Sequence, residues 1–593
     1  MAWANEELAG LFEELAELLE LQGETGFRIR AYERAARALS GYGADLRTLS
    51  PQQLAAIPGV GRAVAAKVRE YLDTGHVAKL DELRAAVPPG LRALLRVPGL
   101  GPRKARLLHE RLGVGDLDAL AAALDAGRVA ELPGMGPRTE QNLRRALARV
   151  AHGGAVPGGG IPLATALPLA ETLRDQLATL EPVAKVEVAG SLRRFKPSVH
   201  DVDLLAAARD PAAVTRAFAA LPQVAEVQAL GDTKASVLTR QGVQADLRVV
   251  RPEVWGAALQ YFTGSAQHNV KLRERAVKRG LKLSEYGLFE RAADGEPEQA
   301  DAPGDGRLIV AETEAVVYQR LGLAWVPPVL REDRGEVEAA AAGRLPELVA
   351  LEHVRGDCHC HTDLSGDGTA PLEAMIDAAR ARGYRFLAIT DHAERLSIGG
   401  ASRERLLAQR QRLRALERRL GDIELLHGAE LNIGADGSLD YDDEFLDGFD
   451  LLVASVHDRL DAPREQLTAR LVRACEHPAV NVIGHPTGRL LGSRPAGDVD
   501  LAALFQAAAR SGTALEVNGS PQRLDLGDEA LRLAAGHGVR FAFGSDSHGP
   551  GHLEHMRFAV ATAARAWLTA EQVINTWPAD KLRHFLAKGR PHR

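Results

Sequence analysis

The sequence predicts a multidomain α/β protein: a helical N-terminal part, a middle of mixed strands and helices, and a C-terminal β/α barrel. Three observations predict it. The 593 residues are too many for one core, given roughly 100–200 residues per domain. An apolar-Pro-Gly-apolar-Gly pattern occurs three times before residue 140, each time ahead of a helix with basic residues. From residue 351 onward, short apolar runs alternate with helical stretches, and fourteen of the 19 histidines lie from His353 onward.

Composition narrows the classes. No run of about 18 apolar residues exists, so no membrane span is expected. The N-terminus lacks a basic-then-apolar signal. Three cysteines in so long a chain argue against a disulfide framework and for a reducing compartment, hence a cytoplasmic protein, expected to be a monomer. The net charge of −6 does not advertise nucleic-acid binding, but a basic channel is compatible with acidic outer surfaces.

Residues 4–21 place Leu8, Leu11, Phe12, Leu15, Leu18 and Leu19 on one helical face. Residues 27–39 form a second helix, with Arg28, Arg30, Arg34 and Arg37. The repeated turns follow, with Gly59 and Gly61, then Gly99 and Gly101, then Gly134 and Gly136. They resemble the helix–hairpin–helix module. Glycines let the hairpin backbone approach a phosphate, and the next helix offers unpaired N–H groups at its positive end. Such contacts ignore base sequence. Residues 151–162, rich in Gly and Pro, read as a linker.

The middle turns on Gly190-Ser191-Leu192-Arg193-Arg194 and Asp201-Val202-Asp203. A strand ends at the Gly-Ser turn, and the turn with its arginines suits phosphates. On a strand, side chains two apart share a face, so Asp201 and Asp203 point to one spot. Residues 243–250 alternate as a strand and supply Asp246. Carboxylates beside a triphosphate suit Mg²⁺, which prefers oxygen ligands.

The runs GSLRRFKPSVHDVDLL, ADLRVV and Tyr261-Phe262-Thr263-Gly264-Ser265 resemble the family X DNA polymerases. The resemblance implies a nucleotidyltransferase palm at 163–254 and a thumb at 255–330, and that Asp201, Asp203 and Asp246 hold two Mg²⁺. It implies dNTP binding by Gly190, Ser191, Arg194, Tyr261, Phe262, Gly264, Asn269 and Arg273. Ser191 and Arg194 would contact the β and γ phosphates, and Arg273 the nascent pair. Ala266 and Val270 depart from the vertebrate repair members. The resemblance also makes 1–85 a lyase-like domain and 86–150 a fingers-like domain. Lys67 falls where the family's Schiff-base lysine does, and Tyr32 also matches, but Ala63 replaces a lysine of relatives with strong lyase activity. Lys67 thus reads as a lyase nucleophile or as a phosphate contact. Residues 291–306 read as an acidic surface loop and 331–350 as a connector.

In the C-terminal part, 351–593, His359 and His361 share a strand face, with Cys358 and Cys360 on the other, packed face. Further apolar runs end at His392, Glu430, His457, His485, and Asp546 with His548. Polar groups at strand C-termini describe a barrel with its site on one rim. His353, His427, His477 and His584 read as structural. The spacing resembles the PHP phosphoesterase family. This implies nine ligands, His359, His361, Asp367, His392, Glu430, His457, His485, Asp546 and His548, around three metals, with Glu430 bridging two. Imidazole with carboxylate suits Mn²⁺ or Zn²⁺. Clustered metals generate hydroxide at neutral pH and stabilise both oxygens of an in-line displacement.

A family X core joined to a PHP domain resembles the bacterial and archaeal branch of that family. The expected function is DNA repair synthesis on gapped or primer-template DNA from dNTPs, with a separate 3′-5′ exonuclease; whether that second site also cuts at abasic sites is left open by the sequence. Two rivals stand beside it: a PHP domain acting on small phosphate esters, and a DNA-binding scaffold with inert sites.

Overall fold

The computed structural model describes residues 2–24, 27–40, 46, 49–57, 59–74, 76–97, 100–137, 139–141, 143–144, 147, 160–290, 307–396, 399–491 and 494–588. Residues 151–159 of the expected 151–162 linker, the expected loop at 291–306 and Gly99 lie outside them. The chain divides into two compact units, Met1–Gly160 and Ile161–Arg593.

The first unit is helical. Leu8, Phe12, Leu15, Leu18 and Leu19 of the helix Ala2–Leu21 are buried against Ile29, Ala35, Ala36 and Leu39 of the helix Phe27–Ser40. Each such large side chain contributes about 1.5–3 kcal/mol on burial. The three turns share one backbone hydrogen bond. Val60 N–H donates to the Ile57 carbonyl (2.9 Å), Leu100 to Val97 (3.0 Å) and Met135 to Leu132 (3.0 Å). Val60, Leu100 and Met135 are buried and anchor each hairpin, while Gly61, Gly101 and Gly136 stay exposed just ahead of a helical segment. Gly59 (φ 93°) and Gly134 (φ 77°) take the left-handed conformation that glycine adopts without a Cβ penalty. The helices Arg62–Thr74 and Pro102–Leu112 follow the first two turns.

The second unit begins with a five-stranded mixed sheet. Its strands are β1 (Val183–Val188), β2 (Val202–Ala208), β3 (Val224–Leu230), β4 (Lys234–Thr239) and β5 (Gln244–Val250), in the order β1-β2-β5-β4-β3. Only β2 and β5 run parallel. The helices Trp255–Thr263 and Ala266–Val277 lead to a three-stranded sheet of β6 (Leu281–Ser284), β7 (Gly287–Glu290) and β8 (Leu308–Val310). Residues 331–350 do more than connect: Val337 and Ala340 of the helix Glu336–Ala341 are buried in the core of this second region.

The C-terminal domain is a seven-stranded parallel sheet in sequence order: β9 (Gly356–Asp357), β10 (Phe386–Ile389), β11 (Glu424–Asn432), β12 (Leu451–Ser455), β13 (Val482–Ile483), β14 (Ala514–Asn518) and β15 (Phe541–Gly544). It closes on itself, because Cys358 N–H donates to the Phe543 carbonyl (3.2 Å) and Cys360 bridges Ser547 in parallel. Glu430 lies within β11 instead of after its end, since that strand continues to Asn432. Cys358, Cys360 and Cys475 are all free and buried. Leu524 and Phe558 of this domain sit in the same apolar core as β1, β2, β4 and β5. Among the described residues no helix is long and apolar enough to cross a membrane.

Candidate active sites

The first site forms where β2 meets β5. Parallel pairing sets Asp203 directly beside Asp246, and Asp201 precedes β2 by one residue. Gly190 closes the site from the turn after β1. Its φ is 58°, and a Cβ there would fall 2.0 Å from Asp203 Oδ2, so no other residue fits. The acids repel one another. Burial, then Asp201 and Asp246, push the Asp203 carboxyl up to about 7. Burial, then Asp246, also raises Asp201. Lys234 Nζ, 3.3 Å from Asp246 Oδ2, and Gln244 Nε2, 3.2 Å from Oδ1, offset only part of this. Three converging carboxylates, one strained towards its protonated form, are a donor set that fits a divalent cation.

The neighbouring arginines are already engaged. Arg193 forks onto Glu314 (2.8 and 3.0 Å) and donates to Thr263 Oγ1 (2.6 Å). Burial works against ionisation of Glu314, but Arg193 and Arg331 hold its carboxyl down at about 2. Arg194 donates from Nε to Glu332 (3.0 Å) and from Nη1 to the Thr263 carbonyl (2.6 Å). Tyr261 and Phe262 are half-buried, with rings edge to face at 5.2 Å, and the Arg248 guanidinium lies 5.3 Å over Phe262. Gly264 has φ 68° next to Arg194, and its missing side chain leaves Nη1 3.2 Å from where a Cβ would be. Asn269 is buried and spends its amide on the Tyr261 carbonyl (2.7 Å) and Gln260 (2.6 Å). Arg273 is exposed on the same helix, and Ser191 is half-buried.

The second site is the rim of the barrel, and all nine predicted residues meet there. His359 Nε2 and His361 Nε2 face each other at 3.1 Å. Glu430 sits centrally. One oxygen lies 3.1 Å from His457 Nε2 and 2.9 Å from His485 Nε2, the other 2.9 Å from His392 Nδ1 and 3.3 Å from His359 Nε2. Asp367 lies 3.3 Å from His392 and 3.1 Å from His548, and Asp546 lies 3.5 Å from His361. Three groups have ligand atoms all within 4.8 Å of one another: His361 with His392 and His548; His359 with His361 and Asp546; His392 with Glu430 and His457. The palm acids are spread more widely than that limit.

Burial opposes the charge of Glu430, but His457, His359 and His392 keep its carboxyl well below the usual range. His361 is lowered to about 4 by burial and His392, and His485 to about 3 by burial and Arg523. Two buried imidazole nitrogens 3.1 Å apart, ringed by carboxylates, are a donor set that fits a cation between them. Backbone strain marks the rim as well: His485 (φ 24°) and Asp546 (φ 53°) are non-glycine residues at positive φ.

Sequence reasoning missed the residues that orient these ligands. Glu516, fully buried in β14, accepts from His359 Nδ1 (2.7 Å) and from the His485 N–H (2.5 Å). Asn518 Nδ2 reaches Asp546 Oδ2 (3.1 Å), Asn432 Oδ1 pairs with His457 Nδ1 (2.8 Å), and Arg523 Nε donates to Asp546 (3.2 Å). Asp391 holds the loop after His361 through Thr362 and Ser365. The signal for Glu516 was present, as an acid inside the apolar run 514–518, two residues from Asn518. Of the residues read as structural, His427 stacks on Phe449 at 4.7 Å and His477 pairs with Asp443 at 3.2 Å.

In the first unit, Lys67 is half-buried on the helix Arg62–Thr74. Tyr32 is buried, its ring 5.8 Å from Phe12.

Known families match the chain in the same order. A helix-hairpin-helix domain matches residues 3–77, and a SAM-like helix-hairpin-helix tandem matches 91–149. The DNA polymerase beta thumb matches 258–332 and the PHP domain 357–520. Asp546 and His548 lie beyond that last segment, yet barrel closure brings them to the rim. The DNA polymerase/3'-5' exonuclease PolX of Bacillus subtilis (strain 168) is 34% identical over 588 residues, covering 98% of this chain and 99% of that protein. DNA polymerase lambda of Rattus norvegicus is 27% identical over 54% of this chain and 55% of its own length. A probable phosphatase of Shewanella sediminis (strain HAW-EB3) is 31% identical over 39% of this chain and 93% of its own.

Proposed function

The chain belongs to the PolX family of DNA polymerases with a PHP domain, and from that premise we propose that it is a DNA repair enzyme with two separate metal-dependent sites. The observation that carries the reading is the pair of clusters: three acids alone at β2 and β5, and six imidazoles with three carboxylates on the barrel rim.

At the palm, Asp201, Asp203 and Asp246 would hold two Mg²⁺, and at the rim the nine ligands would hold three ions of Mn²⁺ or Zn²⁺. When bound, such ions activate an oxygen nucleophile and offset the charge that builds on phosphate oxygens. The protein's own part is orientation. Asp246, facing Asp203 across the β2–β5 pair, orients the primer 3′-OH towards the α-phosphate of a dNTP. The Gly190–Ser191 turn gives the triphosphate N–H and hydroxyl donors without a side chain in the way. Arg194 adds a fixed positive charge, Tyr261 and Phe262 border the sugar and base, and Arg273 lies towards the nascent pair. At the rim, Glu516 fixes the tautomer of His359 by accepting from Nδ1, which leaves Nε2 for a metal. Arg523 and Asn518 hold one Asp546 oxygen and so aim the other. Gapped DNA is gripped by the hairpin turns through phosphates, with Lys67 as a further phosphate contact.

Primer extension and 3′ shortening, measured on a gapped duplex, test this reading. Unchanged extension by an Asp201→Ala, Asp203→Ala double variant would reject the palm assignment. An unaltered nuclease rate in His359→Ala, His361→Ala would reject the rim. A second reading, in which the rim cleaves small phosphate esters, is favoured by the likeness of the C-terminal part to phosphatases. Turnover of a small phosphomonoester faster than of a DNA 3′ end would establish it.

A further inference from the structure

Arg194 follows directly from the Gly190–Ser191 turn, but its guanidinium is held from outside the palm. Nε donates to Glu332 Oε1 at 3.0 Å, and Glu332 follows the thumb helix Glu314–Arg320 and precedes Glu336–Ala341. The same Glu332 oxygen accepts from Arg565 Nη1 at 3.0 Å, and that nitrogen also donates to the Arg194 backbone carbonyl at 2.5 Å. Arg565 ends the helix Met556–Arg565, which belongs to the barrel domain. The chain of charges goes on: Arg565 reaches Asp528 (2.9 Å), which is shared with Arg334 (2.9 Å). Every member is largely buried: Arg565 is 3% exposed, Glu332 11% and Asp528 13% as side chains. Next to it, Phe558 of the same helix packs edge to face with Phe195 at 6.5 Å, and Arg557 pairs with Glu171 at 2.8 Å.

Buried charges remain only where each has a partner, and removing one leaves the others exposed to the desolvation cost. Without Arg565, Glu332 would be left with the Arg194 guanidinium (3.0 Å) as its remaining ion-pair partner among the described residues, and that pair would lose its anchor. With Arg565, Glu332 is neutralised from one side and presents a fixed acceptor to Arg194 on the other. Arg194 Nη1 is fixed too, by the Thr263 carbonyl (2.6 Å). Nη2 is the one guanidinium nitrogen of Arg194 with no protein partner among the described residues. A planar fork held at two corners has one direction left for its third donor.

We propose that Arg565, a residue of the barrel domain, is a positioning residue for nucleotide addition: through Glu332 and the Arg194 carbonyl it fixes Arg194 so that Nη2 is free for a phosphate of the incoming dNTP. The nuclease domain thereby builds part of the synthetic site. This rests on the palm being a polymerase.

The test is steady-state extension on a gapped duplex whose primer ends in a phosphorothioate that resists 3′ shortening. The full chain is compared with Arg565→Gln, Arg565→Lys and Glu332→Gln. Loss of one charge-assisted contact predicts a KM for dNTP about tenfold higher in Arg565→Gln, with kcat within about twofold. Arg565→Lys, which keeps the charge but not the fork, falls between. The nuclease rate on an unprotected end stays unchanged, because Arg565 touches no rim ligand. Adding Arg565→Gln to Arg194→Gln has no further effect, as expected for residues acting through one another. A wild-type KM in Arg565→Gln, or a joint fall of kcat and nuclease rate with KM constant, overturns the proposal. If Arg565→Gln does not fold, Glu332→Gln carries the same comparison. Failure of the unmutated protein to extend any primer would instead remove the polymerase reading.

Discussion

The palm and the barrel rim solve the same problem with opposite chemistry. The palm gathers three like charges at two neighbouring inner strands of one sheet, and burial together with their repulsion raises the Asp203 carboxyl to about 7. The rim interleaves imidazoles with carboxylates, most of them buried, and there the histidines around Glu430 keep its carboxyl well below the usual range. An all-acid site is poorly satisfied until a cation arrives with its substrate. A mixed site balances much of its own charge and has directional nitrogen ligands for resident ions. The difference is why we propose transient Mg²⁺ for one and retained Mn²⁺ or Zn²⁺ for the other.

The sharpest way to break this contrast is to remove one site and look for damage at the other. Replacing His359 and His361 with Ala is expected to lower 3′ shortening roughly a thousandfold, since metal assistance supplies several kcal/mol. Extension from a protected primer should be untouched; a parallel fall in both would mean that the sites are one functional unit.

The palm offers a second, two-sided test. Asp203→Asn should lower extension by about the same factor, because it removes a shared ligand. It should also stabilise the chelated protein. The Asp203 carboxyl is raised from 3.8 to about 7 by burial and then by Asp201 and Asp246. A raised carboxyl adds most stability when protonated, below its unfolded value, and that contribution is lost as pH climbs through about 7. Denaturant unfolding in EDTA should therefore show a gain of about 1–2 kcal/mol for Asp203→Asn at pH 8 and little at pH 5. A loss of stability at pH 8 would contradict the strained-acid description.

Smaller effects sharpen the contrast further. Glu516→Gln keeps all nine rim ligands but weakens the hold on His359, and should reduce metal retention and nuclease activity by roughly 10–100-fold. Excess Mn²⁺ should restore much of the rate, and metal content after gel filtration reads the loss directly. Least is expected from Ser191→Ala, which removes one hydroxyl donor at the turn. A rise in KM for dNTP of about three- to tenfold is the prediction, with nuclease unchanged.

These effects also separate what was legible in the sequence from what was not. The hairpin turns could be read because everything they need is local: two glycines, a proline and two apolar anchors within five residues. Asp201 and Asp203, like His359 and His361, were readable from two-residue spacing, and His392, His457, His485, Asp546 and His548 from the apolar runs that end at them, whereas Asp367 came only with the family resemblance and Glu430 lies inside its strand. Glu516 was harder, because one acid in an apolar run looks the same whether it faces a site or a structural partner. Glu332 and Arg565 gave no signal at all. Arg565 meets the Arg194 carbonyl from 371 residues away, and an ion pair of that separation leaves no periodicity in either segment. The arginines of the Gly190 turn looked like free phosphate ligands, whereas both terminal nitrogens of Arg193 are engaged by Glu314 and Thr263. Motif and spacing thus locate the reacting groups, while the buried charges that hold them emerge only from packing.

The most direct measurement uses a gapped duplex with a 5′-labelled primer, incubated with Mn²⁺, with and without dNTPs, across the palm and rim double variants. Asp201→Ala, Asp203→Ala is predicted to shorten the labelled strand without extending it, and His359→Ala, His361→Ala to extend it without shortening. Loss of both reactions in either variant, or survival of both, would contradict two independent metal sites on one chain.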